Sequence, residues 1–173
     1  YNGNFIAESP YRFQPVLDAS QWRQLSSEIG LGQDYGASTN WFEEITRTGL
    51  SQVHNVAVSG GSASTTYRMS LNFRDVEGIA KKTGNQTIST RLNLTHKALN
   101  DRLTLTMNVA GSWRDAQYGQ DDAFKFATIY NPTAPVRSDD PAYDDYGGFF
   151  EIVQFDYKNP IAILEQNIND GTD

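Results

Sequence analysis

The sequence predicts an all-β chain, about five strands of an antiparallel transmembrane β-barrel whose long extracellular loops carry short helices. Three observations predict it. First, residues 50–113 alternate apolar and polar side chains: Tyr67, Met69, Leu71 and Phe73 interleave with Arg68, Ser70, Asn72 and Arg74. Successive strand residues point to opposite faces, so this pattern makes one apolar and one polar face. Second, the polar face repeats Arg, Asn, Ser and Thr, which suits water or a polar lumen better than a protein core. Third, the connections are short at one end of the strands and long at the other, the asymmetry of outer-membrane barrels.

The opening stretch, residues 1–8, reads as a strand with Tyr1, Gly3, Phe5 and Ala7 on one face. Pro10 and Pro15 then interrupt regular structure. Residues 18–29 read as a helix, with Asp18 as N-cap, Gly30 as terminator, and Trp22, Leu25 and Ile29 on one side. A polar loop leads to a helical turn at 41–46. Strands follow at 50–59, 65–79, 87–97 and 103–114. Gly60, Gly61, Ser62 and Ala63 are expected to form a hairpin turn, the glycines supplying φ > 0, and Asn100 and Asp101 a second. KKTGNQ (81–86) is a charged connection between them. Runs of this length match the roughly 9–11 residues a membrane strand needs. Residues 9–49 and 115–173 are the two long loops, the second with short helices near 122–130 and 160–168.

Composition limits the function classes. The formal charge of −7 and the absence of a basic run argue against nucleic acid as a partner. No apolar run reaches the roughly 20 residues of a helical span. A barrel strand exposes only alternate residues to lipid, so 38% hydrophobic content suffices for one. With 12% aromatic residues, disorder is not expected. The lack of cysteine removes disulfides, thiolate metal sites and thiol nucleophiles. The chain opens at Tyr1 inside a strand pattern, without an initiator Met or signal peptide, which suggests a piece of something longer.

The ordered segments resemble the SusC/RagA-like TonB-dependent transporters of the outer membrane of Bacteroides-type bacteria. The resemblance runs through YNGNFIA (1–7), LDASQW (17–22), TNWFEEITRTGLSQVHNVAVSGGS (39–62) and TTYRMSLNFRDVEGIA (65–80). It continues through STRLNLTHKALNDRLTLTMNVAGS (89–112), YNPTAPV (130–136), GGFFE (147–151) and NPIAILEQ (159–166). The most specific parts are the segment from His54 to Ser62 and that from Asp75 to Ile79. The resemblance implies the N-terminal part of a plugged barrel of about 22 strands, just after the plug. It implies uptake of oligosaccharides or peptides, a SusD-like surface lipoprotein as lid, and TonB acting through segments not in this sequence. It implies no catalytic activity and no cofactor.

Candidate chemistry is sparse. His54 and His96 each sit in a strand near a turn and read as interfacial or lumen-facing polar residues. Ser59 and Ser62 lack the G-x-S-x-G arrangement of a nucleophile elbow. Asp139, Asp140, Asp144 and Asp145 offer oxygens of the kind calcium takes, but without EF-hand spacing, glycine or terminal Glu; a solvated acidic loop is the default. The second long loop is rich in aromatic residues, also including Phe124, Phe126, Phe155 and Tyr157. Tyr118, Tyr130, Tyr143, Tyr146, Phe149 and Phe150 are its candidate substrate or lid contacts, weighed against packing onto the plug or lid. Trp113 and Tyr118 are expected in an interfacial aromatic girdle, and Arg68, Arg91 and Arg114 on the lumen face, where they would meet plug carboxylates. The alternative fold is a soluble carbohydrate-binding β-sandwich, which would bury the apolar face against a second sheet.

Overall fold

A computed structural model describes residues 1–154, 156–166 and 170–172. Phe155 and the expected end of the last helix, Asn167 and Ile168, lie outside the described residues. The chain runs β1 (Asn2–Glu8), α1 (Ala19–Ile29), α2 (Trp41–Ile45), β2 (Gly49–Gly61), β3 (Thr65–Glu77), β4 (Gly84–Ala98) and β5 (Leu103–Gln117). It continues through α3 (Asp121–Ile129), a 3-10 helix (Pro141–Tyr146), α4 (Pro160–Gln166) and β6 (Asp170–Thr172). No described helix is long and apolar enough to cross a membrane, which has no bearing on crossing by strands.

The strands form one antiparallel meander in chain order, β1 to β6. The sheet does not close on itself: β1 and β6 are its edges. The last strand was not expected from the sequence. Its three residues, Asp-Gly-Thr, have no alternation and a poor β composition, and they pair through the backbone with residues 115–117 of β5. β2, β4 and β5 extend past their expected bounds, because main-chain pairing continues beyond the last apolar residue, whereas β3 ends at Glu77, two residues short of its expected end, and β1 stays within its expected bounds. β4 and β5 pair without interruption over 15 residues each.

Register aligns the two faces across strands. Val56, Leu71 and Thr90 share a row, as do Met69, Leu92 and Val109, and Gly3, His54, Phe73, Ile88 and Trp113. The opposite face carries Asn55, Asn72, Ser89 and Ser112 in one row and Arg68, Asn93 and Asn108 in another. Asn72 Nδ2 donates to Asn55 Oδ1, and the Ser89 and Ser112 hydroxyls lie 3.0 Å apart. Such same-face pairs hold a sheet in register, since a slip of one residue would turn every apolar side chain onto the polar face. No second sheet covers the apolar face, the face a sandwich would bury, among the described residues.

The two tight turns differ from each other. Leu99, Asn100 and Asp101 all have φ near +60°, a left-handed run that Asn and Asp tolerate. The other turn is Ser62–Ser64, and Gly60 and Gly61 still belong to β2 with no left-handed φ, contrary to expectation. These glycines answer to crowding instead. A Cβ on Gly61 would lie 2.3 Å from the Thr65 carbonyl oxygen, and one on Gly60 would lie 2.8 Å from the Tyr67 hydroxyl. Gly61→Ala is therefore expected to destabilise the hairpin by about 1–3 kcal/mol, as a backbone atom must move. Gly60→Ala should cost less, because the Tyr67 ring can swing aside. Thermal unfolding of the two variants compares them directly; a milder Gly61 variant would contradict the crowding argument.

The long connections, 9–48 and the described residues from 118 to 166, leave the same end of the sheet and build a cap. α1 starts at a capping box: Asp18 accepts from the Ser20 and Gln21 amides at 2.8 and 2.9 Å, while Gln21 Oε1 accepts from the Asp18 amide at 3.1 Å. It ends at Gly30 in the left-handed region (φ 67°). α2 buries Trp41, Phe42 and Ile45 against Ala123, Ala127 and Tyr130 from α3 and its end, and Ile161 and Leu164 from α4. One core thus joins segments about 90 residues apart in the chain. Beneath it, Arg47 ties α2 to the β3–β4 connection, donating to the Gly78 and Thr83 carbonyls at 3.2 and 2.9 Å.

Candidate functional site

Two places combine shape with recognition chemistry. The first is the polar face of the sheet. A hollow of about 610 Å³ opens there, lined by Asn55, Arg68, Asn72, Ser89, Arg91 and Ser112 among others. Arg68 and Arg91 are diagonal neighbours on β3 and β4, and Arg74 and Arg114 flank Thr87 two same-face rows nearer the cap than Arg91. The guanidinium of Arg114 lies 5.9 Å from the ring centroid of Tyr118. Tyr118 follows β5 with the parity of Arg114 and Ala116, so it belongs with the polar face and not with the expected outward girdle. Trp113 stands on the apolar face.

The second is a groove of about 970 Å³ in the cap, between α1 and α3. Trp22, Tyr35, Trp41, Tyr130 and Tyr157 supply its rings, and Gln21, Gln33, Asn131 and Gln154 its amides. No Asp, Glu, Lys or Arg lines it among the described residues. Asn131 organises one wall: its Oδ1 accepts from Thr133 N and Oγ1 at 2.9 and 2.8 Å, its Nδ2 donates to the Gln33 carbonyl at 2.9 Å, and its carbonyl accepts from Trp41 Nε1 at 3.0 Å. The first loop's contribution (Trp22, Tyr35, Gln33) was missed from sequence. Its signal was an aromatic and amide composition like that of the second loop.

The sequence-selected aromatics fall into two groups. Tyr130 is 3% exposed, donates its hydroxyl to the Phe150 carbonyl at 2.8 Å and meets Trp41 edge-on. Burial holds its phenol well above the usual range. Phe149 is buried beneath the Arg137 guanidinium, 4.0 Å away, and Phe150 is buried between Tyr35 and Tyr143. Tyr143 packs onto the same core. These rings hold the cap together. Tyr118 and Tyr146, 45% and 39% exposed, are the two of the six with large free surfaces.

The remaining candidates have local roles. His54 and His96 lie on the apolar face, His54 Nδ1 2.7 Å from the Tyr1 hydroxyl and His96 Nδ1 2.7 Å from Thr65 Oγ1. Asp140 caps the 3-10 helix by accepting from the Ala142 amide at 3.0 Å. Asn159, fully buried, donates to the Val136 and Phe150 carbonyls at 2.9 and 3.1 Å and accepts from the Ile161 amide at 3.0 Å, starting α4.

Glu151 makes the cap sensitive to pH. Burial raises its carboxyl above the ordinary range, offset in part by the Asn159 amide and by Lys158. The folded state then holds the proton more tightly than the unfolded state. This contribution is complete below the unfolded carboxyl value and is lost as pH rises through the folded one. Glu151→Gln is expected to flatten the dependence. Protease resistance of the wild-type cap should fall as pH rises above the ordinary carboxyl range, and that of the variant should not. Parallel profiles would exclude Glu151 as the source.

A two-faced meander with a rim of long folded loops defines a class, and comparison with known proteins names it. No family model matches. The chain is 30% identical to "TonB-dependent receptor SusC" of Bacteroides thetaiotaomicron over 188 aligned positions, covering 95% of this chain and 18% of that protein. It is 32% identical to "TonB-dependent receptor P26" of Formosa agariphila over 135 positions, covering 77% of this chain and 13% of that protein. The chain spans less than a fifth of the length of either relative. It is part of a TonB-dependent receptor. Within that class, it belongs to the SusC-like TonB-dependent receptors.

Proposed function

We propose that these residues form a section of the wall and outer rim of a TonB-dependent β-barrel in the bacterial outer membrane, an importer and not an enzyme. The observation that carries this reading is the bare apolar face. Leu105, Val109 and Met69 are 54%, 52% and 56% exposed, and Val56, Tyr67, Leu71 and Trp113 stand open beside them. Water-soluble monomers rarely present so extended an apolar patch. Along β5 the band runs from Leu103 to Trp113. At roughly 3.3 Å per residue and a tilt of roughly 40°, that corresponds to about 25 Å of height, the thickness of the apolar belt of outer-membrane barrels. The polar face then lines the lumen, and further strands continue the wall at β1 and β6.

The substrates of this reading are oligosaccharides or peptides, captured with a SusD-like surface lipoprotein as lid and taken in under the control of TonB. The uncharged aromatic and amide groove, with Tyr118 and Tyr146 exposed elsewhere on the loop side, provides surfaces for such capture. Fractionation of source cells tests the reading. The native protein is expected in outer membranes, extracted by detergent with an intact mass several times 19.3 kDa. A water-soluble species of 19.3 kDa would overturn it.

A further inference from the structure

We infer that the apolar face carries, at its cap end, a binding site for the sugar headgroup of an outer-leaflet glycolipid, formed by Asp75, Gln86 and Asp115 above Trp113. The inference rests on reading the apolar face as the lipid face. By register that face ends towards the cap in the row Gly3, His54, Phe73, Ile88 and Trp113, and the next row on the same side is Phe5, Gln52, Asp75, Gln86 and Asp115. Two residues along a tilted strand add about 5 Å of height, which puts Asp75, Gln86 and Asp115 beyond the apolar belt, at headgroup depth. The turn end of the same face differs. Its last rows, Thr65 with His96 and Leu105, and Ala98 with Leu103, carry no carboxylate or amide side chain. An aromatic girdle alone would treat both ends alike. The two leaflets of an outer membrane are unlike, the outer being sugar-headed and the inner phospholipid.

A polar chain beside the site fixes its geometry. The Asp75 carboxylate only accepts, so Gln52 Nε2 donates to Asp75 Oδ2 at 3.4 Å, and Gln52 Oε1 accepts from His54 Nε2 at 3.1 Å. In the neutral ring, His54 Nδ1 then accepts from the Tyr1 hydroxyl at 2.7 Å. His54 is thereby held between the Tyr1 and Phe73 rings, whose centroids lie 6.0 and 6.1 Å away, within 18° of parallel. Next to this stack, Asp75 keeps a second oxygen, and the side chains of Gln86 and Asp115 make no hydrogen bond or ion pair among the described residues. Trp113 and Ile88, 42% and 36% exposed, form the floor below them. β3 to β5 span about 10 Å, the length of a disaccharide. Sugars offer hydroxyl donors to carboxylates and C–H faces to an indole ring. Two carboxylates repel a phosphate, so the site selects the sugar part of a headgroup.

The test uses the full-length receptor purified from outer membranes in detergent. Heat-modifiable migration of the wild type on gels establishes barrel assembly; its absence would refute the barrel reading and this site with it. On assembled receptor, native mass spectrometry compares the retention of a glucosyl diacylglycerol with that of a phosphatidylcholine of the same acyl chains. The wild type is expected to hold the glucosyl lipid about tenfold more tightly, the worth of one or two net hydrogen bonds. Asp75→Ala with Asp115→Ala should lose that preference and keep heat-modifiable migration. Trp113→Leu, which stays apolar, should reduce it about threefold. Thr65→Ala, on the same face at the turn end, should leave it unchanged. The inference is overturned if the wild type holds the two lipids alike, which would leave the row an ordinary interfacial girdle. It is equally overturned if the preference survives the loss of both carboxylates.

Discussion

Leu71→Arg or Leu92→Arg is expected to abolish assembly of the receptor, whereas Asn72→Arg or Asn93→Arg should leave most of it intact. The four positions are neighbours on β3 and β4 and differ chiefly in face. Leu71 lies between Val56 and Thr90, and Leu92 between Met69 and Val109, in the middle of the apolar band. An arginine there costs about 2–4 kcal/mol at the lipid midplane. Asn93 lies between Arg68 and Asn108 on the polar face, where a guanidinium keeps its hydration. Asn72→Arg removes the hydrogen bond to Asn55, a loss of about 1 kcal/mol. The amount of heat-modifiable receptor in outer membranes measures all four variants. Equal losses on the two faces would sink the assignment of the apolar face to lipid.

The second large effect belongs to the cap. Trp41→Ala should cost about 3–5 kcal/mol locally, through a large cavity in the core shared by α2, α3 and α4. It also deprives the Asn131 carbonyl of its Trp41 donor. Because one core joins both long loops, limited proteolysis of the assembled variant should cut within 9–48 and within 118–166 together. The strands, paired independently of this core, should resist. Phe150→Ala, on the other loop, should give the same pair of cleavage regions. Cleavage confined to the mutated loop would show that the two loops fold separately.

Strands β1 to β5 were legible because one face of each repeats every second residue, and that local period survives any tertiary context. Asp18 with Gln21 announced the start of α1, Gly30 its end, and Asn100–Asp101 a turn, since each acts on backbone a few residues away. Gly60 and Gly61 were legible as exceptional, but their reason was not. It lies across the hairpin, in the Thr65 carbonyl and the Tyr67 ring. The aromatic residues of the second loop were legible as a group, yet their division into core and surface was not. Phe149 and Tyr146 have the same local setting in sequence, and one is buried while the other is open.

By itself the sequence determined the two-faced strands, their order and the end that carries the long loops, because alternation and turn chemistry act within one strand or one hairpin. Its ordered motifs also pointed to the family. Only the tertiary structure decided that the two long loops share a core, that Tyr130, Phe149 and Phe150 are spent in holding it, and that Arg68 and Arg91 become diagonal neighbours across β3 and β4. Those features depend on contacts between residues such as Trp41 and Asn131, whose meeting is set by the pairing of all the strands between them and by no local signal.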